Sequence, residues 1–349
     1  MISFLRRSST TIGLDIGSSF VKAAVVDHSG PEPELTHVTY LPLVADTIVE
    51  GEIMDPALLA ETVRAIVEGL SVPLRNVVIA VGGRDVMIKK ILMDRMAADD
   101  AREMIPWEAE QYVPFDMSNV QLDFQILDPD EDGLQMNVLL VAAKRDLVDQ
   151  RMILLGDAGV APSIVDIDAF ALHNAFAYNH PDALRGVTAL ANIGHEITTI
   201  LIQQDGSPLT NRDLPFGSRH LREELRRAHG LTAEEADAVL EGRSERTAEF
   251  TSFLAERTEE LALAIERAAA FRATDDAYDR GVGAIYLCGG GARIPRLADT
   301  LAARLHTRVE TANPIQRLRV HPDASVQFPA EELAPMLMLC IGLALRKAA

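Results

Sequence analysis

The amino-acid sequence predicts an α/β protein built from two duplicated halves, with a separate α+β block inserted in the first, and three features carry that prediction. The segment Leu14-Asp15-Ile16-Gly17 returns 177 positions later as Ala191-Asn192-Ile193-Gly194. Both copies break at glycine, resume as strand-forming runs (Val21 to Val26, Ile197 to Ile202) and close at a turn, Ser29-Gly30 and Asp205-Gly206. A repeat this long cannot be a solenoid unit and indicates a duplicated domain. Glycine turns stand at strand ends three times, at Gly17-Ser18-Ser19, Gly194-His195 and Gly289-Gly290-Gly291. Residues 84 to 160 follow their own strand and helix order before apolar strand material returns at Ser163 to Ile167.

The elements follow from patterning. Ile12 to Val26 reads as strand, tight turn and strand. Asp55-Pro56 is a helix start, with Leu59, Val63, Ile66, Val67 and Leu70 on one face, and a strand Val77 to Val81 follows. The block then offers a strand (Met87 to Met93), a helix (Asp99 to Tyr112), a strand (Val120 to Leu127), an acidic turn (Asp128 to Gly133), a strand (Met136 to Ala142) and a helix (Arg145 to Ala158). The second half continues with a strand (Pro208 to Arg212) and helices over Ser218 to His229, Ala233 to Glu241 and Arg246 to Ala273, the last followed by Asp275-Asp276. A buried strand, Ala284 to Cys288, runs into the triple glycine, a helix behind it carries Ile294, Leu297, Leu301 and Leu305, and a helix from Ala334 to Arg346 closes the chain. Trp107, the sole tryptophan, is expected in the core.

Composition narrows the function. At 349 residues the chain exceeds one domain of ~100–200 residues. Its 48% hydrophobic and 24% charged content excludes a disordered chain. With 52 acidic against 33 basic residues the net charge is −19, which lacks the footprint for gripping nucleic-acid backbones. Cys288 and Cys340 lie in apolar runs and read as buried thiols in a reducing compartment. Met1 to Arg7 does not form a signal peptide and no stretch approaches the ~20 apolar residues of a membrane span, so a cytoplasmic protein is expected.

Glycine at a strand end lets backbone approach a phosphate closely, although any one of the three turns could equally serve only as a tight hairpin. No GxxxxGK[ST] and no strand-to-helix GxGxxG occurs, so the P-loop and Rossmann fingerprints are absent. Asp15-Ile16-Gly17-Ser18-Ser19-Phe20-Val21-Lys22 instead resembles the first phosphate loop of the actin, Hsp70 and sugar kinase superfamily, and Gly289-Gly290-Gly291-Ala292 resembles its adenosine loop. The resemblance implies two ribonuclease-H-like halves flanking a cleft that binds ATP and Mg2+. Asp15 would hold a metal-bound water, Ser18 and Ser19 would face the β- and γ-phosphates and Lys22 would neutralise them. Gly17 would belong to the same side, and Asn192, Gly194, Gly289, Gly290 and Gly291 would face them from the other.

Met104 to Phe115 (Met-Ile-Pro-Trp-Glu-Ala-Glu-Gln-Tyr-Val-Pro-Phe), followed by Val120-Gln121-Leu122-Asp123-Phe124, is closely similar to the signature of the PilM family of cytoplasmic type IV pilus assembly proteins. The similarity extends through Val165 to Leu172, Arg212 to Gly217 and Gly342 to Arg346. As in FtsA, the family resemblance implies that an α+β subdomain 1C replaces the usual 1B. It places 1A at 10–83 and 161–185, 1C at 84–160, 2A at 186–212 and 281–349 with the closing helix able to pack on 1A, and 2B at 213–280. It also implies a scaffold that docks the N-terminal cytoplasmic tail of an inner-membrane PilN-like protein in a 1A/1C groove. Contact with pilus motor ATPases and self-association are further implied partners, and the membrane is met only through PilN.

Two positions depart from the pattern. Asn192 stands where the superfamily usually has a metal-organising aspartate, and Leu240 where the family tends to offer a lysine near the adenine. Glu196 and Asp205 lie near the second loop but read as solvated surface. ATP binding with little or no hydrolysis is therefore expected. An active small-molecule kinase would need a general base, for which Asp166 and Asp168 are the candidates, two apart on one face with one capping the next helix. An FtsA-like filament protein is the other alternative, against which Met336 to Leu345 is apolar nearly all round rather than a basic amphipathic membrane helix.

Overall fold

The computed structural model describes residues 10–70, 72–128, 133–270, 281–322, 324 and 333–346. The first nine residues, most of the acidic turn after Asp128, and the end of the long helix with Asp275-Asp276 lie outside that set. The chain opens with β1 (Thr10–Ile16), β2 (Phe20–Asp27), β3 (Glu34–Pro42), a ribbon of β4 (Ile48–Val49) and β5 (Glu52–Ile53), α1 (Pro56–Gly69) and β6 (Val77–Val81). A block of β7 (Val86–Asp94), α2 (Ala98–Ala109), β8 (Val120–Ile126), β9 (Gln135–Lys144) and α3 (Arg145–Asp157) leads to β10 (Ile164–Ile167) and α4 (Asp168–Asn179). Then come β11 (Val187–Ile193), β12 (Thr198–Gln204), β13 (Ser207–Leu214), α5 (Ser218–His229), α6 (Ala233–Leu240) and α7 (Thr251–Ala270). The chain finishes with β14 (Ala284–Cys288), α8 (Leu297–Leu305), β15 (Arg308–Thr311), β16 (Arg319–Val320) and α9 (Met338–Ala344).

The duplication is visible strand by strand. One sheet has the order β10-β6-β1-β2-β3-β16 and the other β15-β14-β11-β12-β13, so an antiparallel three-strand meander is extended by two parallel strands in each. The hairpin registers coincide, since Thr10↔Asp27 through Ile16↔Val21 become Val187↔Gln204 through Ile193↔Thr198, every partner displaced by 177. The turn bond repeats as well, Gly17 N–H donating to Phe20 O at 3.1 Å and Gly194 N–H to Ile197 O at 3.0 Å.

Helices cover both faces of the first sheet, which is why β1 and β2 read as apolar runs. Ile12 and Leu14 join Leu59, Val63 and Ile66 of α1 in one core. Asp55 caps α1 by accepting from Leu58 N–H at 3.0 Å, with Pro56 at the first position. The opposite face takes α9, which is buried throughout. Two glycines permit its approach: a Cβ on Gly13 would strike Cys340 O, and one on Gly342 would strike Ala171 O of α4. Both cysteines are buried and free.

The block forms a three-stranded sheet, β7-β9-β8, whose Ile91, Met93, Met136, Val138 and Leu140 pack on Ala101, Ile105 and Ala109 of α2. Trp107 departs from expectation, being 71% exposed. Ala101, Ile105 and Ala109 fix the buried stripe at four-residue spacing, and Trp107, two residues from each neighbour, is turned to the opposite side. Its helix also ends at Ala109, earlier than expected. The helix α3 buries Leu154 and Leu155 in the core beneath β1 and α1 instead. The two longest helices expected in the second part each open as a 3-10 turn, Thr247–Phe250 before α7 and Ala334–Leu337 before α9. Among the described residues no helix is long and apolar enough to cross a membrane.

Candidate functional site

The matched hairpins bring the glycine turns face to face across a cavity of about 570 Å³. Its first wall holds Asp15, Gly17, Ser18, Ser19 and Lys22, and its second holds Asn192, Gly194, Gly289 and Gly290. Gly291 is not on the lining. A Cβ there would run into the Ile193 side chain, so it serves the close packing of the loop on β11. Gly289 needs its glycine for conformation and space, with φ +81° and a Cβ position blocked by Ile193 O and Asn192 Oδ1. Its N–H donates to Pro335 O at 2.8 Å, tying the loop to the turn before α9.

The two hairpins differ chemically at the cross-strand pair that faces the cavity from both strands. In the first, Asp15 faces Lys22 and the two form an ion pair. Burial would lower the Lys22 pKa, but the Asp15 carboxylate beside it outweighs this and holds it above the ordinary value, so the ammonium stays charged. In the second, Asn192 faces Thr199, neutral against neutral. Thr199 Oγ1 donates to Asp213 Oδ1 at 2.7 Å on the next strand, so Asp213 places a carboxyl on the wall that Asn192 leaves uncharged. Burial raises the Asp213 pKa, against hydrogen bonds from Thr199 and the Gly83 amide.

Asp166 and Asp168 part company, because the strand ends at Ile167 and Asp168 is the first residue of α4. Neither caps that helix, whose N-cap is Ile167 without a side-chain bond. Asp166 accepts from Ile167 N–H at 2.8 Å and faces Arg346 at 3.5 Å. Asp168 turns into the cavity beside Gly82, where a Cβ would collide with its carboxyl. Burial, then the nearby Asp15 and Asp213, push its pKa up to about 7, with Arg151 opposing. Burial and the cations Arg222 and Arg219 push His195, also on the lining, down to about 4.

Glu196 is not solvated surface, having a side chain only 10% exposed. It accepts from Arg219 Nη1 at 2.7 Å and from Glu50 N–H at 2.7 Å, while Arg219 Nη2 reaches Asp46 Oδ1 at 2.7 Å. Asp46 and Glu50, both at positive φ, thereby clasp the β4–β5 ribbon to the second half. Asp205 lies at the far end of its hairpin, accepting from Gly186 N–H at 2.8 Å. Leu240 lines the cavity, as do Gly289, Gly290 and Ile294. Gly82, Arg151 and Asp213 were missed from sequence. Gly82-Gly83 carried a signal, a glycine pair ending the strand Val77–Val81 as at the other turns, and Asp213 lies in the family-like run Arg212 to Gly217.

The donor set suits a nucleotide with magnesium. Mg2+ beside phosphates is commonly held through one or two carboxylates and waters rather than a protein cage. Among the described residues no group of three or more His, Cys, Asp or Glu is arranged to hold a metal ion, while Asp15 and Asp168 both face the cavity.

Two sheets of one duplicated topology, with a glycine-lined cleft between them, define a protein of the actin-like ATPase fold. The same fold is found in the ethanolamine utilization protein EutJ from Carboxydothermus hydrogenoformans, 17% identical over 96% of this chain and 89% of that one, at TM-score 0.57. Residues 13–348 match the family model described as type IV pilus assembly protein PilM, and the chain belongs to that family. A solved PilM–PilN type IV pilus biogenesis complex contains a chain 28% identical to this one, covering 96% of this chain and 98% of that one at TM-score 0.79.

Proposed function

We propose that the protein is a cytoplasmic scaffold of type IV pilus assembly that holds ATP and Mg2+ in the cleft and docks the N-terminal tail of a PilN-like inner-membrane protein. The observation that carries the nucleotide reading is the Asp15–Lys22 pair at the mouth of a glycine turn, facing a second glycine turn built to the same register. Asp15 would hold a magnesium-bound water, Ser18 and Ser19 would meet the phosphates, and Gly194, Gly289 and Gly290 would admit close backbone approach on the other side. Leu240 and Ile294 would offer the base an apolar wall. Bound Mg2+ would supply charge neutralisation to the phosphates, and with an amide at 192 this chain holds the nucleotide with little or no turnover.

The PilN reading is supported by the 28% identical chain in the PilM–PilN complex. We place the tail between subdomain 1A (10–83 and 161–185) and subdomain 1C (84–160), with 2A at 186–212 and 281–349 and 2B at 213–280. Exposed apolar groups on α2 of the 1C block, Met104 and Trp107, give an extended segment apolar anchors, and the net charge of −19 favours a basic tail. A ligand that closes the cleft and a peptide that senses closure must tighten each other by the same factor. Calorimetric titration of a synthetic PilN-like tail with and without MgATP, and the reverse, tests this. Reciprocal tightening is expected, whereas a tail that does not bind removes the scaffold reading and equal affinities remove the coupling.

A further inference from the structure

We propose that Arg151 reads the terminal phosphate of the bound nucleotide, so that the cleft separates a nucleoside triphosphate from its diphosphate. The inference rests on the nucleotide reading of the cleft and adds to it a residue that fixes which phosphate state is favoured. Arg151 projects from α3 into the cavity wall, and its Nη1 is buried with no hydrogen-bond partner among the described residues. Three acidic groups act on it, Asp168, Asp15 and Glu52. Asp15 is bound by Lys22 and Glu52 is bound by Arg84 at 2.9 Å. A guanidinium nitrogen kept from water without a partner is costly, and the planar fork that carries it matches the oxygens of a phosphate.

The position of Arg151 selects the terminal group. A second cavity, of about 840 Å³, adjoins the first, and Gly51, Gly82, Gly83, Arg151, Glu196 and Asp213 line both. Leu240, Gly289, Gly290, Ile294 and Leu339 line only the first. Arg151 therefore sits at the end of the cleft away from the apolar wall and the triple-glycine loop. A nucleotide with its base at that wall and its chain past Ser18 and Ser19 brings its last phosphate toward Arg151. The residue is held there because Leu154 and Leu155, on the next turn of α3, are locked in the core under β1.

The test is equilibrium binding of MgATP and MgADP to the full chain and to Arg151→Gln and Arg151→Lys, with Lys22→Ala for comparison. The parent is expected to prefer ATP. Arg151→Gln should lose about 10–100-fold in ATP affinity and keep ADP affinity within about threefold, the range of one charge-assisted hydrogen bond. Lys22→Ala should weaken both nucleotides. Arg151→Lys, which keeps charge and stem, should lose part of the preference, and it decides the matter if the glutamine variant does not fold. Equal loss of ATP and ADP, or an unchanged ratio in the variant that folds, would overturn the role of Arg151 while leaving nucleotide binding standing. A parent that binds neither nucleotide would remove the underlying reading instead.

Discussion

Replacing Asp168 by asparagine should change how the nucleotide-free protein responds to pH. The Asp168 carboxyl is raised from 3.8 to about 7 by burial and by Asp15 and Asp213, with Asp166 adding to the rise and Arg151 opposing it. A carboxyl raised in the folded state keeps its proton there between about pH 4 and 7, while the unfolded chain has released it. The unfolded state then binds fewer protons, so stability falls as pH rises through that window and the loss is complete above about 7. About three units at ~1.36 kcal/mol each set a ceiling of about 4 kcal/mol. Asp168 opens partly to the cavity, which brings the expected loss to about 2–3 kcal/mol. At about pH 3.5, where the carboxyl is largely protonated in both states, parent and Asp168→Asn should unfold at similar urea concentrations. At pH 8 the variant should be more stable by that amount, with the residual slope set by Asp166 and Asp213, whose values are also raised. Parallel pH profiles for the two proteins would refute the assignment of a protonated Asp168 in the cleft.

Other outcomes follow from the same geometry. Lys22→Ala should weaken ATP binding by roughly 1.5–3 kcal/mol, read by calorimetry, because it removes a charge facing the phosphates. Gly289→Ala should lower the thermal midpoint by an amount equivalent to about 1–3 kcal/mol, since φ is +81° and Ile193 O blocks the Cβ. Arg219→Ala cuts the clasp to Asp46 and Glu196 and should speed nucleotide release about two- to fivefold in a stopped-flow chase. Trp107→Ala should shift stability by no more than about 0.5 kcal/mol, as for an exposed side chain, while weakening tail binding.

The duplicated hairpins were legible in sequence because their signal is local: two-residue alternation, glycine punctuation and an offset that repeats at every paired position. The buried closing helix was legible for the same reason, being apolar nearly all round. The strand Glu34–Pro42 was not, since it mixes Glu34, Thr36, His37 and Thr39 with only two fully buried positions, Leu35 and Val38. Trp107 misled because residue type was weighed above helical position, and the stripe Ala101, Ile105, Ala109 decides burial there. Asp168, Asp213 and Arg151 reach the cleft from three different elements, so only the tertiary fold brings them together. The neutral Asn192 was visible at once, but that Asp213 stands one strand away, bonded through Thr199, depends on the pairing of β12 with β13.

The most direct test of a cleft that holds ATP as a structural ligand is a mass spectrum of the nucleotide released when the protein, incubated with MgATP and desalted, is denatured. The account predicts close to one equivalent of intact ATP, still unhydrolysed after prolonged incubation. Recovery of no nucleotide, or of ADP with free phosphate accumulating over many turnovers, would contradict it.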